Sequence, residues 1–329
     1  MKRVTFSRFG KPSEVAEVVD VPMPQRGPDE ALVRMRAAPI NPADYLLLTG
    51  NHASRPRLPA FAGIEGLGDV VEASTLAPGT RVILPPGSGT WAEFVVVPEA
   101  SLISVPNELD VEQAAMLAVN PATAWLLLEL TGLGTGDWLV QNAATSAVAR
   151  LIIRLARTRG VRTINVVRRA DAVAALTAIG ADAVLVGEDD LAARVRAAAH
   201  GAPLRWALDA IAGAASGQLA ACLTPGGTLV TYGLLSYSPV QIPAALMVFG
   251  DITCRGFSRY SEVARMGSAA ARAMYARVAA LVADGTLRSE IEARYPLDRV
   301  RDALEHTDRS GRAGKVVLTM SDSTQATAP

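Results

Sequence analysis

The chain has 329 residues, half of them hydrophobic and 19% charged, which supplies enough apolar material for two domains with buried cores. Thirty-two Lys and Arg balance thirty-two Asp and Glu. That neutrality argues against a nucleic-acid binder, whose surplus cations must neutralise phosphates.

The opening MKRVTFSRFG has no signal-peptide core, and no apolar run is long enough to span a bilayer. Cys222 and Cys254 are too few for a disulfide framework or a four-thiolate zinc site. The expected setting is a reducing cytoplasm, with no membrane partner.

Residues 4–9, 16–21, 31–37, 68–73, 80–84, 92–97 and 102–105 read as short strands, punctuated by Pro22, Pro24, Gly27, Pro28, Pro78, Gly79, Pro85, Pro86 and Gly87. Such a run predicts an antiparallel barrel or sandwich. Near residue 110 the pattern changes. Helices over 110–118 and 121–131 lead into strict alternation: strand 137–141, helix 146–158, strand 163–167, helix 171–179, strand 183–186 and helix 191–199. Strand 205–210, helix 216–223 and strands 228–232 and 252–257 complete the series.

Six strands with helical crossovers predict an α/β fold with a doubly wound parallel sheet. A helix over 261–284 follows, then a strand, a short helix (297–305) and a strand (315–318), which can return the chain to the first domain. The expected division is 1–118 with 291–320 as one domain and 119–290 as the other. The polar tail 321–329 is expected to be disordered.

A doubly wound sheet binds its ligand beyond the carboxyl end of its first strand. Here that turn reads Gln141-Asn142-Ala143-Ala144-Thr145-Ser146-Ala147-Val148-Ala149. Small residues replace the glycines of a dinucleotide loop, and the following helix would offer free N–H groups to a pyrophosphate. Asn142, Thr145, Ser146, Ala147 and Val148 are the candidate contacts; the alternative is an ordinary strand–helix junction.

After strand 163–167 an NAD enzyme would carry an acidic residue for the ribose 2′-hydroxyl. Arg168 and Arg169 stand there instead, suited to a 2′-phosphate, so NADP(H) is the expected cofactor, with no metal. Gly233 after strand 228–232, and Asn41, Pro42 and Thr123, fit a nicotinamide, though each also fits a turn or helix cap.

At these residues the chain resembles the medium-chain dehydrogenase/reductase superfamily. The segments AAMLAVNPATAW, GDWLVQNAATSAVAR and RTINVVRR carry the likeness, with NPADYLLLTGN, LPAFAGIEGLG, GGTLVTYG and RGF. Within it the likeness is to the 2-enoyl thioester reductase and quinone oxidoreductase branch. The resemblance implies a GroES-like β-barrel domain made from both chain ends, a Rossmann domain between them, a cleft between the two, and commonly a homodimer. It further implies Asn41, Thr123, Tyr232 and Gly233 near the nicotinamide, Ser146, Ala147 and Val148 along the pyrophosphate, and Arg168 at the 2′-phosphate.

Two departures stand out. Zinc-dependent relatives carry a Cys in the segment matching 37–40 and a His where Ile64 stands, whereas this chain has neither. Enoyl reductases carry a proton-donating Tyr where this chain has His52. For an enoyl thioester, enal or enone, hydride goes to the β-carbon and a proton to the α-carbon, with His52 and then Tyr45 as candidate donors. A quinone is the rival substrate, since it takes its protons from solvent. A non-catalytic NADP(H)-binding protein is the reading from another class.

Overall fold

The computed structural model describes residues 1–52, 54–187 and 189–320; the expected disordered tail lies outside them. The chain forms two compact units, one from Met1–Val119 together with the chain from Arg272 onward, the other from Asn120–Ala271.

The first unit opens with β1 (Lys2–Phe6), α1 (Pro12–Val15), β2 (Glu17–Asp20), β3 (Glu30–Pro39) and α2 (Pro42–Thr49). It continues with β4 (Ala60–Phe61), β5 (Leu67–Glu72), β6 (Arg81–Ile83), β7 (Phe94–Pro98), β8 (Ile103–Ser104) and α3 (Val111–Ala115). The expected β-rich character is present. Helix α2, however, was not anticipated: eight residues are too few to show a helical period. Its marks are terminal, with Pro42 in the first turn, a capping box between Asn41 and Asp44, and Gly50 left-handed at φ 77° after the last turn.

The second unit holds α4 (Asn120–Thr131), β9 (Trp138–Gln141), α5 (Ala147–Thr158), β10 (Arg162–Val167), α6 (Val173–Ala178) and β11 (Ala183–Val186). Then come α7 (Leu191–Ala198), β12 (Leu204–Asp209), α8 (Ala214–Ala220), β13 (Thr228–Thr231), α9 (Ala244–Gly250) and β14 (Thr253–Gly256). Its six strands pair in parallel in the order β11-β10-β9-β12-β13-β14. This is the doubly wound sheet expected from the alternation, with the order reversing between β9 and β12. Apolar side chains of β9, β10, β12 and β13, among them Val140, Ile164, Ala207 and Leu229, pack with Val195 and Leu219 into one core. Helix α9 was missed because AALMVFG is apolar all round and shows no period.

Helix α10 (Arg259–Ala283) corrects the expected single helix: Gly267, at φ 76° and ψ 166°, breaks it into two. The chain ends with β15 (Ile291–Pro296), α11 (Val300–Asp308) and β16 (Lys315–Thr319). Strand β16 pairs antiparallel with β3, Leu318 opposite Ala38, so the C-terminal segment is built into the first unit. There Val316 and Leu318 join Phe6, Ile40, Leu48, Trp91 and Leu304 in a core.

Candidate functional site

In the second unit the turn after β9 is held by its own polar side chains. Asn142 is buried; its Nδ2 donates to Asp209 Oδ1 (2.6 Å), and its Oδ1 accepts from the Ala210 N–H (2.8 Å). Ala143 adopts the left-handed region at φ 45°, where a side chain is disfavoured. Ser146 caps α5 by accepting from the Ala149 N–H at 3.3 Å, while the N–H groups of Ala147 and Val148 have no helical acceptor. Thr145 is exposed, and Ala147 and Val148 are half-buried at that turn.

Asp209, at the end of β12, organises this edge and was missed in the sequence. Its carboxylate is fully buried and accepts from Asn142, the Ile211 N–H (2.9 Å), the Ala212 N–H (3.1 Å), the Ser216 hydroxyl (2.6 Å) and the Thr231 hydroxyl (3.3 Å). The available signal was a single acid closing the apolar strand LRWALD ahead of a glycine-containing turn.

Tyr232 donates its backbone N–H to the Asp209 carbonyl (2.9 Å). Its hydroxyl faces Ser146, is buried without a hydrogen bond of ordinary geometry, and is pushed above the usual phenol range by that burial. Gly233 abuts the Ala210 backbone: a Cβ there would lie 2.4 Å from the Ala210 carbonyl oxygen. The close approach that demands glycine is thus first of all to the neighbouring chain segment. Asn142, Ser146, Tyr232 and Gly233 therefore converge at the carboxyl edge of β9, β12 and β13.

Arg168 and Arg169 follow β10, which pairs with β9 through Asn165 and Gln141, and both are exposed. Arg169 pairs with Asp171 (3.2 Å), whereas Arg168 has no ion pair or hydrogen bond among the described residues. Thr123 is buried in the first turn of α4.

In the first unit, Asn41, Asp44, Glu65 and Lys315 form a buried polar cluster. Asn41 Nδ2 donates to Glu65 Oε1 (2.7 Å), and Lys315 Nζ donates to Asn41 Oδ1 and the Ile40 carbonyl (2.6 Å each). The Val119 N–H completes Glu65 at 2.8 Å. Asp44 accepts the N–H groups of Asn41 (2.8 Å) and Ile64 (2.9 Å). Burial pushes its carboxyl up to about 7 and pulls the Lys315 ammonium down. Both ends of the Asn41 amide are thus engaged inside the protein.

The Tyr45 hydroxyl donates to the Leu304 carbonyl, and burial raises it above the phenol range. His52 lies two residues past Gly50. Its Nδ1 accepts from the Ser54 N–H at 3.1 Å. Nε2 has no partner among the described residues. Of the two candidate donors, His52 keeps Nε2 unengaged among the described residues, whereas the Tyr45 hydroxyl is engaged by Leu304.

A doubly wound sheet with this polar carboxyl edge, joined in one chain to a β-rich unit, is the architecture of a two-domain α/β protein. Family models agree: residues 27–107 match the alcohol dehydrogenase GroES-like domain and residues 147–282 match zinc-binding dehydrogenase. The mitochondrial enoyl-[acyl-carrier-protein] reductase of Mus musculus is 33% identical over 331 residues, covering 97% of this chain and 89% of that protein. A Bacillus thuringiensis protein assigned as an NADPH:quinone reductase is 29% identical, with a TM-score of 0.90 over 97% of this chain and 98% of its own. Etr1p solved with NADP and crotonyl-CoA is 25% identical, with a TM-score of 0.85 over 97% and 99%. The chain belongs to the medium-chain dehydrogenase/reductase superfamily, in the branch of enoyl thioester reductases and quinone oxidoreductases. It is an oxidoreductase of that type.

Among the described residues, those at the positions of the zinc ligands do not fit the zinc of the matching family. Ile64 is a buried apolar side chain, and among the described residues no group of three or more His, Cys, Asp or Glu is placed to hold a metal. No helix among them is long and apolar enough to cross a membrane.

Proposed function

We propose that the protein is an NADPH-dependent reductase of an activated carbon–carbon double bond, its substrate a 2-enoyl thioester or a related α,β-unsaturated carbonyl compound. The observation that carries this reading is the unpartnered Arg168 guanidinium on the same sheet edge as the Ser146-capped turn. A guanidinium there suits a 2′-phosphate and the capped helix start suits a pyrophosphate. Relatives named as enoyl reductases supply the identity of the bond.

The residues present fit NADP(H). Ser146, Ala147 and Val148 line the pyrophosphate, with Asn142 and Thr145 shaping the turn and Arg168 and Arg169 at the 2′-phosphate. Tyr232 and its orphaned hydroxyl lie toward the nicotinamide, with Gly233 and Thr123. When bound, the cofactor supplies a hydride for the β-carbon of the substrate. Asn41 positions rather than contacts, since its amide is spent on Glu65 and Lys315. His52, when protonated to imidazolium, delivers the proton for the α-carbon from Nε2.

A quinone reductase is the second reading. It is favoured by His52 standing where enoyl reductases have tyrosine and by the likeness to the Bacillus thuringiensis protein. NADPH oxidation with crotonyl-CoA and with 1,2-naphthoquinone separates the two; turnover of the quinone alone overturns the enoyl reading.

We also propose a homodimer. Strand β14 is an edge strand, and Met247, Val248 and Phe249 of the neighbouring α9 are exposed, Phe249 by 87%; sedimentation of the purified protein tests this. The two free cysteines fit a reducing cytoplasm, although the Mus musculus relative is mitochondrial.

A further inference from the structure

Charge is spread unevenly on this neutral chain. Residues 1–13 contain Lys2, Arg3, Arg8 and Lys11 and no carboxylate; residues 45–64 contain Arg55 and Arg57 and no carboxylate. The fold brings the two stretches together, because β1 pairs with β4 through Thr5–Phe61 and Phe6–Ala60. Arg8 lies two residues past that pairing on one strand and Arg57 three residues before it on the other. Arg55 stacks on Phe9, 4.4 Å from the ring centroid, and Arg3 stacks on Phe61 at 3.4 Å.

Lys2 and Lys11 have carboxylate partners, Asp298 and Glu14. The four arginines have none, and no hydrogen bond, among the described residues. Arg3 is the most telling. It is half-buried, has no carboxylate facing it, and burial alone lowers its pKa. An unpaired guanidinium in that setting is unfavourable unless an anion completes it. Room for it is kept by Gly89, at φ 71°: a Cβ there would come within 2.7 Å of Arg3 Nη2.

We propose that Arg3, Arg8, Arg55 and Arg57 receive the phosphates of a coenzyme A thioester, with the half-exposed Phe61 offered to its nucleobase. This rests on the enoyl thioester reading above. A guanidinium stacked on a ring keeps its in-plane N–H groups free, and two parallel N–H groups match a phosphate. Alternating cations and aromatic rings fit a ligand that has both phosphates and an aromatic base. An acidic protein surface would need the cations alone. The patch adjoins the candidate donor, since Arg55 follows His52 by three residues and Phe9 packs against Gly50 at the end of α2.

The test uses the full protein saturated with NADP. Crotonyl-CoA is compared with the crotonyl thioester of N-acetylcysteamine, which lacks phosphates, in Arg3→Gln/Arg55→Gln and in the surface pair Arg8→Gln/Arg57→Gln. The second variant guards against a folding defect in the first. The KM for crotonyl-CoA is expected to rise about tenfold more than that for the short thioester, as for losing a charge-assisted hydrogen bond. Adenosine 3′,5′-bisphosphate should bind the wild type by calorimetry and lose that affinity in both variants.

Equal KM changes for the two thioesters overturn the proposal, as does absence of bisphosphate binding. A KM change confined to a carrier-protein thioester overturns it in favour of an acidic protein partner. If the wild type reduces neither thioester, the enoyl reading falls, while the bisphosphate titration still decides whether the arginines form a nucleotide site.

Discussion

Asn142 and Asp209 join the ends of two neighbouring parallel strands through a 2.6 Å hydrogen bond from amide to carboxylate. The amide oxygen returns to the Ala210 N–H, so the pair ties the turn after β9 to the turn after β12. Asp209→Ala would strand the Asn142 amide, two backbone N–H groups and the Ser216 hydroxyl in the interior. The expected loss of unfolding free energy is about 3 to 5 kcal/mol, as for breaking a buried charged network. Urea denaturation of the variant measures it; a loss below about 1 kcal/mol would show that water replaces the carboxylate.

Ala143 sits in the same turn at φ 45°. A left-handed alanine costs roughly 1 to 2 kcal/mol, and glycine avoids that while adding some freedom to the unfolded chain. Ala143→Gly should therefore raise the unfolding free energy by about 1 kcal/mol, read from the denaturation midpoint at unchanged m-value. A decrease would mean that the Ala143 methyl makes packing contacts worth more than the relief.

The six parallel strands were legible because buried strands and amphipathic helices alternate there with strong periods. So was the small-residue turn that leads into α5. Helix α2 was not, because its information lies in Asn41, Asp44 and Gly50 at its ends. Asp209 escaped because its importance comes from Asn142, Ser216 and Thr231, between 7 and 67 residues away in sequence. The same holds for Lys315, whose Asn41 and Ile40 acceptors lie 274 and 275 residues distant. Local pattern reveals elements; buried polar pairs across long separations need the fold.

Arg168 is exposed and unpartnered at the carboxyl end of β10, whereas Arg169 is paired with Asp171. Arg168→Ala should weaken NADPH binding by on the order of 10- to 100-fold, matching the loss of a charge-assisted contact, and leave NADH binding nearly unchanged. Calorimetric titration with both coenzymes checks it. Equal losses for the two would move Arg168 away from the 2′-phosphate.

Asp44 gives a pH dependence with a definite sign. Its carboxyl is raised from 3.8 to about 7 in the folded protein, chiefly by desolvation. Between those values the native state holds a proton that the unfolded chain has released, so stability falls as pH rises from about 4 to about 7. Asp44→Asn removes this contribution, so the variant should lose less stability than the wild type between pH 5 and 7.5. Paired urea melts at the two pH values measure the difference; parallel behaviour of the two proteins would show Asp44 ionised throughout, held by Lys315.

As the proposed proton source, His52 presents Nε2, which has no partner among the described residues, while Nδ1 accepts from the Ser54 N–H. His52→Phe removes that proton source, and general acid catalysis contributes typically 10²–10⁴-fold. Turnover of crotonyl-CoA with NADPH should fall by about 10²-fold with little change in KM, since a group acting in the transition state leaves ground-state binding intact. A quinone, which draws its protons from water, should be reduced as fast by the variant as by the wild type. Equal slowing of both substrates would assign His52 to the shape of the 50–57 loop, and unchanged enoyl turnover would leave the α-carbon to be protonated by solvent.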